Sequence, residues 1–317
     1  MKYCLTIFLV IHASLANAQT KVFFGQKLPS DTPEIFAPGI ISDQFGNRDM
    51  AISPDGDELF YTLQYARGLI STILYSQKVD GKWTPPEVAP FSGMYNDLEP
   101  AFSADGATLY FVSNRPVQQT GKKKDYDIWY VAKENGKWKQ PVNAVKMINS
   151  DKDEFYPSIA KNGNIYFTRA VDGREEDILV SLLVNGKYTE AKGLSDSVNS
   201  NFDEFNAFVD PDESFIIFSS FGRKDDMGNG DLYISNYVNG SWANAVHLPS
   251  PVNTPSLDYC PYISPDKKYF FFTSNRHIIK IPFPQQQTLS SLKSLLQDPL
   301  NGYDNIYWMN ADVLFKK

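Results

Sequence analysis

The sequence predicts an all-β protein: a β-propeller of four-stranded antiparallel blades, most simply five, with six as the alternative. Three observations carry this. A turn motif returns five times, an aromatic-rich strand follows each copy, and further strand signals fill the interval before the next. The copies are Ile52-Ser53-Pro54-Asp55-Gly56, Phe102-Ser103-Ala104-Asp105-Gly106, Ile159-Ala160-Lys161-Asn162-Gly163, Val209-Asp210-Pro211-Asp212-Glu213 and Ile263-Ser264-Pro265-Asp266-Lys267. Their Asp/Asn positions 55, 105, 162, 212 and 266 recur every 50 to 57 residues, the period of a multi-strand repeat.

Each element has a physical reason. Pro presets the first turn position, Asp bonds back to the bent backbone, and Gly accepts positive φ. After the turn comes a strand such as Leu109-Tyr110-Phe111-Val112 or Tyr269-Phe270-Phe271-Phe272, so each motif reads as a hairpin. A third strand follows, as in Ile128-Trp129-Tyr130 and Leu232-Tyr233-Ile234. Then come a second turn with an aromatic (Gly81-Lys82-Trp83, Gly136-Lys137-Trp138, Gly186-Lys187-Tyr188, Gly240-Ser241-Trp242) and a short fourth strand, for example 141–145. One such sheet cannot bury both faces, but units stacked in a ring can. The 5 Trp, 18 Tyr and 22 Phe suit broad faces packed on one another.

The fifth unit lacks a fourth strand. The spare extended segment Ile35-Phe36-Ala37-Pro38-Gly39-Ile40-Ile41 is expected to supply it and close the ring. Residues 277–303 interrupt the last unit. Leu289, Leu292, Leu295 and Leu296 fall there at helical spacing, with Asp298-Pro299 as a stop, so a short helix laid against the propeller is expected.

Residues 1–18 read as a signal peptide: Lys2, the apolar run from Leu5 to Ile11, and Ala16-Asn17-Ala18 before Gln19. The expected mature chain, 19–317, is one propeller domain, periplasmic or secreted, with no membrane insertion. With Cys4 removed, Cys260 has no partner for an internal disulfide. The net charge of -7 argues against nucleic acid, which is held by basic side chains. His247 and His277 are too few for a three-His zinc site, and no HExxH, CxxC or G-x-S-x-G occurs.

Alignment on the turn residue brings two constellations forward. Eight positions earlier stand Asp97, Glu154, Glu204 and Asp258, with Asn47 in the first unit. In a closed ring these acids could gather near the channel and bind a cation, calcium being the candidate. The alternative is that each caps turns in its own or a neighbouring blade. Arg115, Arg169, Arg223 and Arg276 end the second strands, while Asp127, Asp177, Asp231 and Asn305 begin the third, so arginine is expected to pair across these strands. A rim role for Arg115, Arg169 and Arg276 in holding a ligand is the functional reading. The loop Asp225-Asp226-Met227-Gly228-Asn229-Gly230-Asp231 lacks the EF-hand ligand spacing and, like Lys122-Lys123-Lys124, reads as a solvated loop.

The repeats resemble the WD40-like PD40 repeats of TolB-like proteins. The resemblance is carried by Ser53-Pro54-Asp55-Gly56, by 102–106 with Leu109-Tyr110-Phe111-Val112-Ser113-Asn114-Arg115, by Ile263-Ser264-Pro265-Asp266 with Thr273-Ser274-Asn275-Arg276, and by Asp127-Ile128-Trp129 and Asp231-Leu232-Tyr233. It implies an exported propeller that binds proteins, peptides or glycans; the first expectation is a non-enzymatic module for a partner in the cell envelope. The rival expectation is a glycoside-active enzyme, which needs two carboxylates across a cleft. Its candidates are Asp49, Asp97, Glu99, Glu154, Glu204 and Asp258.

Overall fold

The computed structural model describes residues 23–117, 125–171 and 176–316; residues 1–18, expected to be a signal peptide, and Lys122 to Lys124 lie outside them. It forms five antiparallel blades in a ring, which excludes the six-bladed alternative. The innermost strands are Gly46–Ile52, Asp97–Phe102, Glu154–Ile159, Asp203–Val209 and Asp258–Ile263. Each meets the next, and the fifth meets the first. The second strands are Glu58–Tyr65, Thr108–Ser113, Ile165–Ala170, Phe215–Phe221 and Tyr269–Ser274. The third are Ile70–Val79, Asp127–Glu134, Glu176–Ser181, Asp231–Val238 and Asn305–Asn310. The outer strands shrink to two residues each, such as Glu87–Val88 and Val142–Asn143.

The ring closes through the N-terminal segment. Glu34–Ile35 pairs antiparallel with the last third strand, Glu34 opposite Trp308 and Ile35 opposite Tyr307. Phe36 and Ile41 are then fully buried with Phe271 and Trp308 in the seam between the fifth and first blades. The other four seams hold comparable cores, such as Phe60, Phe91 and Phe111 between blades one and two. The second-turn aromatics pack backwards: Trp138 meets Phe60 edge-on at 5.8 Å, and Trp242 meets Tyr166 at 6.4 Å. This is how the repeat buries faces that one blade leaves open.

The inner strands share a bulge that matters for the site. Asp49, Glu99, Tyr156, Asn206 and Cys260 have φ of 39°, 57°, 48°, 48° and 51°, and the hairpin register shifts beside each. Non-glycine residues seldom adopt this left-handed region, and a bulge re-aims the side chain it carries. Pro100, Pro157 and Pro261 follow three of the bulges. Proline suits an inner edge, since it has no N–H to leave unpaired toward the axis.

The insertion contains the helix Leu289–Gln297, capped by Thr288 and Ser291. Its leucine stripe does not seat as expected. Leu292 and Leu295 are half-buried, but Leu289 and Leu296 are 70% and 60% exposed. The segment is fixed at its end instead, where Asn301 donates to the carbonyls of Gln44 and Leu296. Among the described residues no helix is long and apolar enough to cross a membrane.

Candidate functional site

The expected Arg pairs form with different partners. Arg115 binds Asp97 at 2.6 Å, Arg169 binds Glu154 at 2.8 Å, Arg223 binds Glu204 at 2.7 Å and Arg276 binds Asp258 at 2.8 Å. Each arginine therefore meets the first-strand acid of its own blade, and not the residue that begins the third strand. The reason is the extra work the guanidinium does. It also donates to a carbonyl of the loop arriving from the previous blade (Phe91, Ile148, Val198 or Val252) and covers a second-strand ring (Phe111, Phe167, Phe218 or Phe272). The third-strand acids turn outward: Asp127 accepts from Asn143, and Asp231 pairs with His247 at 2.7 Å.

The two sequence constellations are thus one motif, repeated four times. The carboxylates are closed off by loop donors: Ser150 for Glu154, Ser200 for Glu204, Thr254 for Asp258 and Ser92 for Asp97. Burial raises the carboxyl groups of Asp97, Glu154 and Asp258 against the pull of their hydrogen bonds and arginines. The acids do not meet one another, and among the described residues no group of three or more His, Cys, Asp and Glu is placed to hold a metal ion. In the loop 225–231, Asp226 and Asp231 accept N–H bonds from the loop's own backbone.

The axis holds a different set. All five bulge residues are buried there. Arg48 lies among them, its Nη2 2.6 Å from Glu99 Oε1 and 3.2 Å from Cys260 Sγ, its Nε 3.0 Å from Asp49 Oδ2, and its guanidinium 5.0 Å over the Tyr259 ring. Asn206 donates to Glu99 Oε1 at 3.2 Å, and the Tyr156 N–H to Glu99 Oε2 at 2.7 Å. Tyr156 O–H reaches the Pro261 carbonyl, and Thr62 O–H reaches Asp49 Oδ1 at 2.6 Å. One network therefore touches every blade.

Its local logic is visible in the bulge amides. Thr273, Thr62 and Thr168 accept the N–H of Asp49, Glu99 and Asn206 from the preceding blade. In the second blade that position is Val112, which cannot accept, and Glu99 takes the Tyr156 N–H instead. Burial pushes Asp49 up to about 7 against the pull of Arg48, and it also raises Glu99. The half-buried Asp304 is raised by burial too, against Arg48 and a Tyr259 hydrogen bond.

Above this floor opens a funnel of about 750 Å³ on the face of the five repeated turns, with Glu99 and Tyr156 at its base. Its wall includes Ile52, Phe102, Tyr110, Phe208 and Tyr262. Lys161 and Lys267 stand at the rim, tied to Asp212 and Asp210. Behind the floor, Tyr156, Tyr259 and Cys260 pack with Phe155, Phe205 and Leu257 and fill the axis. A concave, largely apolar mouth with a few polar groups at its base is the usual form of a ligand site.

Asp49 and Glu99 belonged to the sequence candidates; Arg48, Tyr156, Asn206 and Cys260 did not. The signal was present. Seven positions before the turn residue, four units carry Leu98, Phe155, Phe205 and Tyr259, and the first carries Arg48. Six before, the residue type differs in every unit.

No protein-family model matches the chain, and no curated protein matches it by sequence. Several solved structures align with the chain at low identity. TolB from Acinetobacter baumannii aligns with 84% of this chain at 14% identity and a TM-score of 0.48; the aligned part spans 57% of that protein. A protein assigned as TolB from Agrobacterium tumefaciens aligns over 84% of this chain and 90% of its own, at 16% identity and a TM-score of 0.48. The catalytic domain of the Coprinopsis cinerea GH62 α-L-arabinofuranosidase aligns over 89% and 98%, at 9% identity and a TM-score of 0.49.

Proposed function

We propose that this chain is an exported, non-enzymatic binding module that receives a protein, peptide or envelope-glycan partner in the funnel at the centre of its turn face. One observation carries the reading. The funnel ends on a buried network in which Arg48 holds both axial carboxylates, Asp49 and Glu99. Such a floor is rigid and preorganised, which favours recognition. The composition of residues 1–18 supports export.

Glycoside hydrolysis is the second reading. Burial pushes Asp49 to about 7, as a general acid requires. Against it, a hydrolase needs one carboxylate free to attack or to activate water, and here both are clamped.

A thermal-shift panel of envelope glycan fragments, short peptides and calcium tests both readings, with product analysis on every sugar that stabilises. The binding reading expects a stabilising ligand that is recovered intact and whose effect is lost in Ala104→Trp, which narrows the funnel rim. A cleaved sugar would replace it with the hydrolase. A ligand unaffected by Ala104→Trp would move the site away from the funnel.

A further inference from the structure

We infer that the funnel recognises a primary alkylammonium group, seated on Glu99 with its aliphatic stem along the aromatic wall. The inference rests on the funnel reading above and gives that site its ligand chemistry.

Hydrogen-bond capacity comes first. A carboxylate offers about four acceptor sites. Glu99 is 3% exposed and accepts from Arg48, Asn206 and the Tyr156 N–H, so one site is left on a side chain that lines the funnel. Ser158, 7% exposed and also lining it, accepts the Val209 N–H, and its own hydroxyl proton has no acceptor among the described residues. The base thus offers one acceptor and one donor to whatever enters.

Charge then selects among donors. Arg48 faces three carboxyl groups, those of Asp49, Glu99 and Asp304. The one positive charge does not balance all three when they ionise, and burial therefore raises each toward its neutral form. A cation from the funnel supplies the missing charge and holds Glu99 ionised. The rim lysines do not repel it strongly, because Asp210 and Asp212 neutralise them.

Shape decides which cation. A guanidinium fork needs two parallel acceptors, whereas an ammonium is a point charge content with one. Phe102, Tyr110, Phe208 and Tyr262 line the path with half-buried rings, which suit a methylene stem and favour a cation near their faces. The amine can be free or borne on a polypeptide; the Ser158 hydroxyl would serve a peptide carbonyl.

Titration calorimetry on the protein tests this with four probes. Two are doubly capped tripeptides, Gly-Lys-Gly and its norleucine counterpart. Two are free molecules, n-butylamine and n-butanol. The expectation is that each amine binds at least about tenfold tighter than its neutral counterpart, the worth of one charge-assisted hydrogen bond. Ser158→Ala should weaken the lysine peptide more than butylamine. A peptide far tighter than butylamine would identify a chain-borne amine; equal affinities would identify a small amine. Equal binding of the lysine and norleucine peptides, both lost in Ala104→Trp, would overturn the ammonium inference and leave the funnel reading intact. Binding of no probe would overturn the inference, and the ligand panel would then judge the funnel reading alone. Glu99→Gln should abolish the amine preference if it folds; the comparison of amine with neutral probe on the unaltered chain stands without it.

Discussion

The four Arg–carboxylate pairs of blades two to five and the Arg48 cluster at the axis use the same chemical parts in opposite ways. In the repeated pairs one guanidinium serves one acid, one loop carbonyl and one to three rings, all within a blade and the loop that enters it. At the axis one guanidinium serves acids from two blades and a thiol from a third. The first arrangement is closed and recurs wherever the fold needs an inter-blade loop tied down. The second occurs once, leaves its carboxyl groups under-compensated, and sits at the base of a cavity. Here the recurring residues hold the architecture, and the position that changes from unit to unit builds the candidate site.

The largest effect is expected from deleting residues 34–41, which removes the closing strand together with buried Phe36 and Ile41. The ring should then lose cooperative unfolding altogether; a melting curve like that of the full chain would refute closure by this segment.

Arg48→Met comes next. It leaves buried carboxylates without their cation, which costs about 3–5 kcal/mol. The loss should be smaller at pH 5 than at pH 8, because protonation relieves the unpaired acids. Equal losses in urea at both pH values would mean the cluster is better solvated than its burial implies.

Arg223→Met probes the repeated pair. Glu204 keeps its bonds from Ser200 and Ser220, so the cost should be lower, roughly 2–3 kcal/mol. A loss equal to that of Arg48→Met would erase the distinction between the two regions.

A pH series sharpens it further. The Asp49 carboxyl is raised from 3.8 to about 7, so the folded chain holds that proton more tightly than the unfolded chain. The stability this group contributes is full below the unfolded value and is lost as pH rises through about 7. Asp49→Asn should therefore be most destabilising, relative to the unaltered chain, below about pH 4 and least at pH 8. A pH-independent difference in denaturation midpoint would remove Asp49 from the list of strained groups.

The smallest effect belongs to the helix. Leu289→Ser with Leu296→Ser should change stability by only about 0.5 kcal/mol per site, since both side chains are already in solvent. A larger loss would show that the helix packs more firmly than its exposure implies.

The five turns, the strands after them and the closing segment were legible in the sequence. These are local facts: turn chemistry and period-two apolar patterning act over a few residues and need no distant partner. The sequence placed the four arginines and four acids at fixed offsets, yet paired the arginines with the wrong strand. Which of two neighbouring carboxylates a guanidinium meets depends on where the incoming loop carbonyl lies, and that is set by the preceding blade. It also showed a leucine stripe, but whether the stripe finds a surface is decided by how the insertion is anchored at Asn301. The axial cluster was the least legible part. Asp49, Glu99, Tyr156, Asn206 and Cys260 lie far apart in the chain and share no residue type. Only ring closure, with one bulge per inner strand, brings them to the same few ångströms. There the low dielectric gives a charged group its strength and makes an unmet charge costly.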